Sequence, residues 1–392
     1  MKVMSVNAGS STLKFQLFEM PEEVVIVSGN VEKIGSNSSF YTIKYGEEKV
    51  KKEINIKNHG EAVSIVLDEL INLNIIKSIN EIEIVGHRVL HGFDKYSKPV
   101  IINDEVMNDI DKFSILGPLH NPANLAGIKA VKEVLPNVMN VAVFDTAFHQ
   151  TMPKESYIYA TPYEYYEKYG VRKYGFHGIS HNYLSVRINE ILNKKDSKVI
   201  ICHLGNGASI SAVRDGKCID TTMGLTPIAG LPMGTRCGDI DVSIIQYIMK
   251  QTGMSIDEVF EDLNKKSGFL GISGISSDSR DIEDAIENGN ERAILAQNIY
   301  IRKVVSFIAS YYVLLDGADA IVFSAGLGEK SIMTRKDIMT ALKPLGVIIN
   351  EDANNSRGEE KLVSDSNSSI ACYVIPTNEE LMIARDAYSF AK

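Results

Sequence analysis

Apolar residues gather in short runs along this chain, and three of these runs end in polar turns that contain glycine. The runs are residues 3–6, 199–202 and 321–323, and the turns are residues 7–12, 203–207 and 324–330. After the first two turns, apolar residues recur at alternate positions in residues 13–18 and 208–213, which is the period of a half-buried strand. The pattern predicts a repeated unit of strand, turn and strand, with the three turns as backbone cradles for anions.

Other segments carry the period and the end signals of helices. Residues 62–70 have apolar positions at helical spacing, and Asn121-Pro122 places a proline where a helix begins. The expected helix caps are Ser180, Ser255 and Thr377, the last two with a glutamate three residues later. Because strands and helices alternate, we expect an α/β protein.

Composition narrows the class of protein. The 392 residues predict two or three domains, and 41 Lys and Arg against 50 Asp and Glu give a net charge of −9. Nucleic acid and anionic membranes need a concentrated basic face, so neither is expected as the main partner. Residues 304–315 form the most apolar stretch, too short to cross a bilayer. The four cysteines lack C-x-x-C spacing and the N-terminus lacks a signal-peptide pattern, so we expect a cytoplasmic protein with free thiols.

Three segments are expected to place histidine or arginine in glycine-flanked turns, where backbone and cation can approach an anion closely. These segments are residues 86–92, 175–178 and 234–241. Together with the three anion-sized turns they favour a phosphate site. Asp145 ends the apolar run 140–144, and the tyrosine-rich stretch that follows predicts a domain boundary near residue 148.

Two other interpretations of these residues stay open at this point. His87 and His91 are four residues apart, as are His177 and His181, a spacing that can bind zinc on a helix. Neither pair has the glutamate of an H-E-x-x-H motif. Cys237, next to an arginine, would be a nucleophile if its pKa were lowered.

Seven segments, in order along the chain, share their sequences with one known family. They are residues 7–15 (NAGSSTLKF), 86–89 (GHRV), 118–122 (PLHNP), 144–149 (FDTAFH), 174–178 (YGFHG), 203–207 (HLGNG) and 233–236 (MGTR). They closely resemble the acetate kinases, and the resemblance extends to about residue 380. It implies two similar domains of the actin-like ATPase fold of acetate and sugar kinases, with the active-site cleft between them, and a homodimer. The implied domains are residues 1–148 plus 377–392, on the carboxylate side, and residues 149–376, for nucleotide binding and dimerisation.

The resemblance also implies roles for individual residues. Arg88 would bind the substrate carboxylate, His177 and Arg236 would stabilise the transferring phosphoryl group, and Asp145 would stand beside them. The implied acyl pocket consists of Leu90, Leu119, Phe176 and Pro227, and the implied ligands of Mg2+, with Mn2+ as a substitute, are Asn7 and Glu379. The implied nucleotide-binding residues are Ser10, Thr12, Lys14, His203, Leu204, Gly205, Asn206, Gly207, Asp278, Ser279, Arg280, Gly326, Leu327, Gly328, Glu329 and Lys330.

The implied reaction is reversible, direct in-line phosphoryl transfer from ATP to acetate, which gives acetyl phosphate and ADP. A carboxylate with a pKa of about 4 is already deprotonated at neutral pH, so no general base is needed and Asp145 is expected to position other groups. Phosphoryl transfer instead needs cations and donors around three equatorial oxygens. Leu90 stands where valine is usual, and its extra methylene predicts a preference for acetate over butyrate. Phe93 and Ala229 also depart from the family pattern and leave the acyl range open.

Four alternative functions remain. They are a propionate-preferring kinase, a pyrophosphate-dependent acyl kinase, a sugar kinase in which Asp145 deprotonates a hydroxyl, and an actin-like ATPase switch. Residues 326–330 offer an adenosine cradle, which favours ATP over pyrophosphate. The switch hypothesis gives Arg88 and the acyl pocket no role. Whether ATP consumption depends on acetate or on a sugar separates these hypotheses.

Overall fold

The computed structural model describes residues 1–118 and 120–391, which divide into two compact units. Unit 1 comprises Met1–Gln150 and the C-terminal residues from Asn378, and unit 2 comprises Thr151–Thr377. Each unit is built on one sheet with helices, which confirms the α/β class expected from the sequence. No helix within the described ranges is long and apolar enough to span a membrane.

Unit 1 begins with antiparallel strands and continues with parallel ones. Its first elements are β1 (Lys2–Ala8), β2 (Thr12–Glu19), β3 (Val24–Glu32), β4 (Phe40–Tyr45), β5 (Glu48–Glu53), α1 (His59–Asn72), β6 (Ile82–Val89), β7 (Val100–Ile101), α2 (Asp104–Lys112), α3 (Asn121–Val134) and β8 (Met139–Phe144). The sheet order in the described residues is β5-β4-β3-β2-β1-β6-β8-β7. Strand β6 lies parallel to both β1 and β8, so the carboxyl ends of these three strands lie at the same edge of the sheet.

The sheet of unit 2 also combines parallel and antiparallel strands, and it is smaller than the sheet of unit 1. Its elements are α4 (Lys154–Tyr157), α5 (Tyr163–Tyr169), α6 (Gly178–Leu192), β9 (Lys198–Leu204), β10 (Ala208–Arg214), β11 (Lys217–Thr221), α7 (Ser243–Thr252), α8 (Ile256–Lys265), α9 (Gly268–Ser273), α10 (Ser279–Glu287), α11 (Glu291–Leu314), β12 (Ala320–Ser324), α12 (Ala325–Lys330), α13 (Ile332–Ala341), α14 (Glu351–Asn354), β13 (Lys361–Leu362) and β14 (Ala371–Val374). The order of its described strands is β11-β10-β9-β12-β14-β13. Strand β12 is parallel to β9 and β14.

The last helix, α15 (Glu379–Tyr388), belongs to unit 1 and packs against β1, β6 and β8. Its buried side includes Leu381, Ile383 and Ala384. A Cβ atom at Gly86 of β6 would lie 2.7 Å from Cγ2 of Ile383. Glycine at this position therefore lets the helix pack directly on the strand.

Several predicted elements are confirmed. Strands β2 and β10 follow the first two turns, α1 covers residues 62–70, and α3 begins at Asn121 with the proline in its first turn. Ser255 caps α8 with the predicted capping box.

Two predicted helix caps are wrong. Asn378 rather than Thr377 caps α15, because its side chain accepts the Leu381 N–H. Ser180 lies inside α6, which starts after His177, and its hydroxyl is bonded to side chains instead of the helix end.

Two predicted turns are also wrong. Residues 86–89 lie within β6. This segment is hydrogen-bonded to β1 on one side and to β8 on the other, and this pairing keeps it extended. The third glycine turn is largely the short helix α12, whose Ala325 N–H is bonded to the side chain of Glu329. Only the first two glycine segments form the predicted strand, turn and strand unit.

Candidate active site

Arg88 and Asp145 form a buried ion pair in unit 1. Arg88 lies near the end of β6, and Asp145 follows the neighbouring strand β8. Nη2 of Arg88 lies 2.6 Å from Oδ2 of Asp145 and Nε lies 3.3 Å from Oδ1. Only 17% of the arginine side chain and 2% of the aspartate side chain are exposed. Asn7 Oδ1 accepts a third hydrogen bond from Nη1 at 3.4 Å. A guanidinium carries five N–H donors, so two remain for a ligand.

Carboxylates outnumber cations around this pair. Burial opposes the charge of Arg88, but Asp145 and Glu379 outweigh that effect and raise its pKa. Burial raises the pKa of Glu379 to about 7, with the negative charges of Asp145 and Glu380 adding to it and Arg88 opposing it. A divalent cation would relieve the repulsion among these carboxylates.

Asn7 and Glu379 fit the ligand chemistry of Mg2+. Both offer oxygen donors near Arg88. Asn7 accepts a hydrogen bond from Arg88, and the negative charge of Glu379 is close enough to raise the pKa of Arg88. Mg2+ typically takes one or two protein carboxylates and completes its shell with water and substrate phosphates. Within the described ranges there is no group of three or more His, Cys, Asp or Glu that could hold a metal by itself. Two oxygen donors fit an ion that completes its shell with water and phosphate oxygens.

The zinc and thiol interpretations find no support. Nε2 of His87 lies 2.8 Å from Oδ1 of Asn140, and burial lowers its pKa to about 4. His91 Nδ1 accepts the Phe93 N–H at 3.0 Å. Burial raises the pKa of Cys237, which is the opposite of what a thiolate nucleophile needs.

Two asparagines on α3 shape the segment after Arg88, and sequence analysis missed them. Asn124 accepts the Leu90 N–H at 3.0 Å and donates to the Ala8 carbonyl at 2.7 Å. Asn121 accepts the His91 N–H at 3.0 Å. Asn121 belongs to the PLHNP motif, which carries the family resemblance and marks a helix start, whereas Asn124 lies two residues after that motif. Leu90 is buried, and Leu119, the other predicted acyl-pocket residue in this unit, lies outside the described residues.

The first glycine turn also lies in unit 1. The Gly9 N–H donates to the Thr12 carbonyl at 2.9 Å, and Ser10 is exposed at the tip of the turn. Lys14 is exposed and lines a cavity of about 270 Å³ together with Lys44 and Glu380.

His177 stands at a junction of α6, β9 and β10 in unit 2. Its Nδ1 lies 2.9 Å from Oγ of Ser209, and its ring stacks on His203 with centroids 4.2 Å apart. His203 is itself bonded to Ser180 Oγ at 2.8 Å. A Cβ atom at Gly207 would lie 3.4 Å from His177 Nε2 and 3.6 Å from Arg236 Nη1. The second glycine turn therefore lies against both predicted catalytic residues of this unit.

Arg236 is largely buried without a carboxylate partner in the described part of the chain. Its Nη1 donates to the Pro227 carbonyl at 2.9 Å and contacts the Met233 sulfur at 3.3 Å. Burial lowers its pKa, and among the described residues no carboxylate offsets that effect. An unpaired guanidinium in this environment gains most from an anionic ligand.

A cavity of about 510 Å³ lies next to this turn. Eight predicted nucleotide-binding residues line it: Gly205, Asn206, Asp278, Ser279, Arg280, Gly326, Leu327 and Lys330. Six lining residues were not predicted to bind the nucleotide: Gly234, which belongs to the MGTR motif, and Phe269, Ser277, Glu283, Ser331 and Arg357, which lie outside the motifs. The volume is in the range of nucleotide and cofactor pockets.

Other predicted nucleotide residues have different neighbours. Leu204 is fully buried, and the Gly328 carbonyl accepts a hydrogen bond from Arg335. The Glu329 carboxylate accepts backbone N–H groups instead of lining the cavity. Asp278 binds Arg280 through two hydrogen bonds of 3.0 and 2.6 Å, which hold the pKa of Asp278 at about 2.

Comparison with known proteins places the chain among acyl kinases. A model described as the Acetokinase family matches residues 2–385. An acetate kinase of Bacillus subtilis (strain 168) is 53% identical over 393 residues, with all of both chains covered. A crystal structure of Porphyromonas gingivalis acetate kinase is 44% identical with a TM-score of 0.95, and 100% of each chain is covered. A structure of a propionate kinase from Francisella tularensis is 41% identical with a TM-score of 0.93 and 99% coverage of each.

The fold and the relatives define an ATP-dependent kinase of the actin-like ATPase fold whose acceptor is a carboxyl group. The sequence resemblance is therefore confirmed over nearly the whole chain. The chain belongs to the acetokinase family.

Proposed function

We propose that this enzyme transfers the terminal phosphoryl group of ATP to acetate and forms acetyl phosphate and ADP reversibly. The observation that carries the proposal is the largely buried, unpaired guanidinium of Arg236, next to His177, Gly207 and a nucleotide-sized cavity. In this proposal unit 1 supplies the carboxylate site and unit 2 the nucleotide site. Transfer requires both sets of groups to act on one phosphoryl group.

Arg88 binds the acetate carboxylate through its two remaining donors while Asp145 holds the opposite edge of the guanidinium. The carboxylate attacks the γ-phosphorus in line, a bond forms from its oxygen to phosphorus, and the bond to the β-phosphate oxygen breaks. Arg236 and His177 stabilise the charge on the equatorial oxygens. Asn7 and Glu379 would hold Mg2+, which would supply neutralisation of the phosphate charge.

The decisive assay incubates the protein with ATP, Mg2+ and hydroxylamine, which traps acyl phosphate as a hydroxamate, across acetate, propionate and butyrate. We expect acetate-dependent product and the lowest kcat/KM with butyrate. Leu90 has one methylene more than the valine usual at this position, which narrows the proposed acyl pocket. Propionate is a specific second candidate because a structural relative of 41% identity is described as a propionate kinase. Equal or better use of butyrate would contradict the pocket argument. ATP hydrolysis without any hydroxamate would favour the ATPase switch.

We also propose a homodimer that buries the apolar face of α7 and α8. None of the α7 residues is buried, and Tyr247 and Phe260 are 62% and 49% exposed. Contiguous exposed apolar residues mark interaction surfaces. Light scattering should show a dimer for the parent protein and a monomer for Tyr247→Glu. Ile115→Glu changes an apolar residue of unit 1 that is even more exposed and should leave the dimer intact. A dimeric Tyr247→Glu protein would place the interface elsewhere.

A further inference from the structure

The join between β12 and α12 has a strained backbone that a side chain holds in place. Ala325 has a φ of +62°, in the left-handed region, which is unfavourable for a residue with a Cβ atom. Its N–H donates to Oε1 of Glu329 at 2.8 Å. The acceptor is a carboxylate, and such charge-assisted hydrogen bonds are stronger than neutral ones. Glu329 therefore compensates part of the cost of this conformation.

The strained residue leads directly into the wall of the nucleotide cavity. Gly326 and Leu327, which follow Ala325, line the cavity, as does Lys330. The direction in which this wall leaves β12 depends on the backbone angles of Ala325. A side chain that fixes the backbone angles of Ala325 therefore also fixes the position of the cavity wall.

Glu329 also reaches two other segments of unit 2. The same Oε1 accepts the Thr377 N–H at 3.2 Å. Its backbone carbonyl accepts the Gly358 N–H at 2.9 Å, and the residue before that glycine, Arg357, lines the same cavity. Three segments distant in sequence thus meet at one residue.

We propose that Glu329 is a positioning residue for the nucleotide, with its carboxylate acting through the backbone of Ala325 and not touching the nucleotide itself. The proposal rests on the proposed function, because it takes the ligand of the cavity to be ATP or ADP. It replaces the nucleotide contact expected for Glu329 from the sequence.

The test measures ADP binding by calorimetry without metal, so that it does not depend on turnover. Glu329→Ala should raise the Kd for ADP at least tenfold and leave the KM for acetate within twofold. Glu329→Gln keeps an acceptor oxygen and should stay within threefold of the parent Kd. Glu164→Ala removes an exposed carboxylate of the same unit, paired with Lys168, and should leave ADP binding unchanged.

A rescue experiment separates positioning from general stability. Glycine tolerates a positive φ, so adding Ala325→Gly to Glu329→Ala should lower the Kd for ADP at least threefold. Equal ADP affinity in the parent and Glu329→Ala, an equal loss in Glu329→Gln, or no rescue would each overturn the inference. Absence of ADP binding by the parent would instead contradict the proposed function and remove the inference with it.

Discussion

Replacing Arg236 by alanine is expected to lower kcat for acetyl phosphate formation at least a hundredfold, a loss of about 2.7 kcal/mol of transition-state stabilisation. The guanidinium has no carboxylate partner among the described residues, so its charge is available to the equatorial oxygens as they develop negative charge. The KM for acetate should change far less, because the proposed carboxylate site is in unit 1. Hydroxamate kinetics at saturating ATP measure both constants.

Arg187→Ala provides the matched control for Arg236. This arginine is exposed and forms an ion pair with Glu360 in the same unit, so its loss should leave kcat within twofold. A kcat for Arg236→Ala within tenfold of the parent value would remove this residue from the proposed mechanism.

Arg88→Ala is expected to have two large effects. The kcat/KM for acetate should fall at least a hundredfold, because the carboxylate loses its two-point partner. The free energy of unfolding should also fall, by about 3–5 kcal/mol, because the 2% exposed carboxylate of Asp145 loses its ion-pair partner. Steady-state kinetics and urea unfolding measure the two effects independently.

Arg88→Lys distinguishes these two roles. Lysine keeps a charge for Asp145 but lacks the guanidinium fork, so stability should be largely restored while kcat/KM for acetate stays low. If Arg88→Lys restored both the stability and the kcat/KM for acetate, a positive charge without the guanidinium geometry would be sufficient at this position. If Arg88→Ala affected stability alone, the proposed carboxylate site would be wrong.

The local sequence pattern predicts an element correctly where interactions between neighbouring residues determine its conformation. Alternating apolar residues predict β2 and β10 because each strand buries one face, and the proline at Asn121-Pro122 predicts the start of α3. The pattern fails at residues 86–89, where histidine and arginine between glycines suggest a turn. Pairing with strands on both sides determines the conformation there, and that pairing is not local.

The parts of the candidate site that were missed are held by contacts distant in sequence. Asn124 contacts Ala8 across 116 positions, and Asn121 contacts His91 across 30. Arg357 belongs to no motif and lines the cavity because its neighbour Gly358 is bonded to Glu329. A single sequence shows the chemistry of such residues but not which residues they meet.

The return of α15 to unit 1 has a consequence for the order in which the chain folds. The face of β1, β6 and β8 that it covers is made of residues within the first 150, whereas Leu381 and Ile383 leave the ribosome after all of unit 2. Unit 2 is synthesised entirely between these two parts and can complete its own core first. Synthesis therefore leaves an apolar sheet surface of unit 1 uncovered until α15 has emerged, and this surface is the expected binding site for chaperones on the nascent chain.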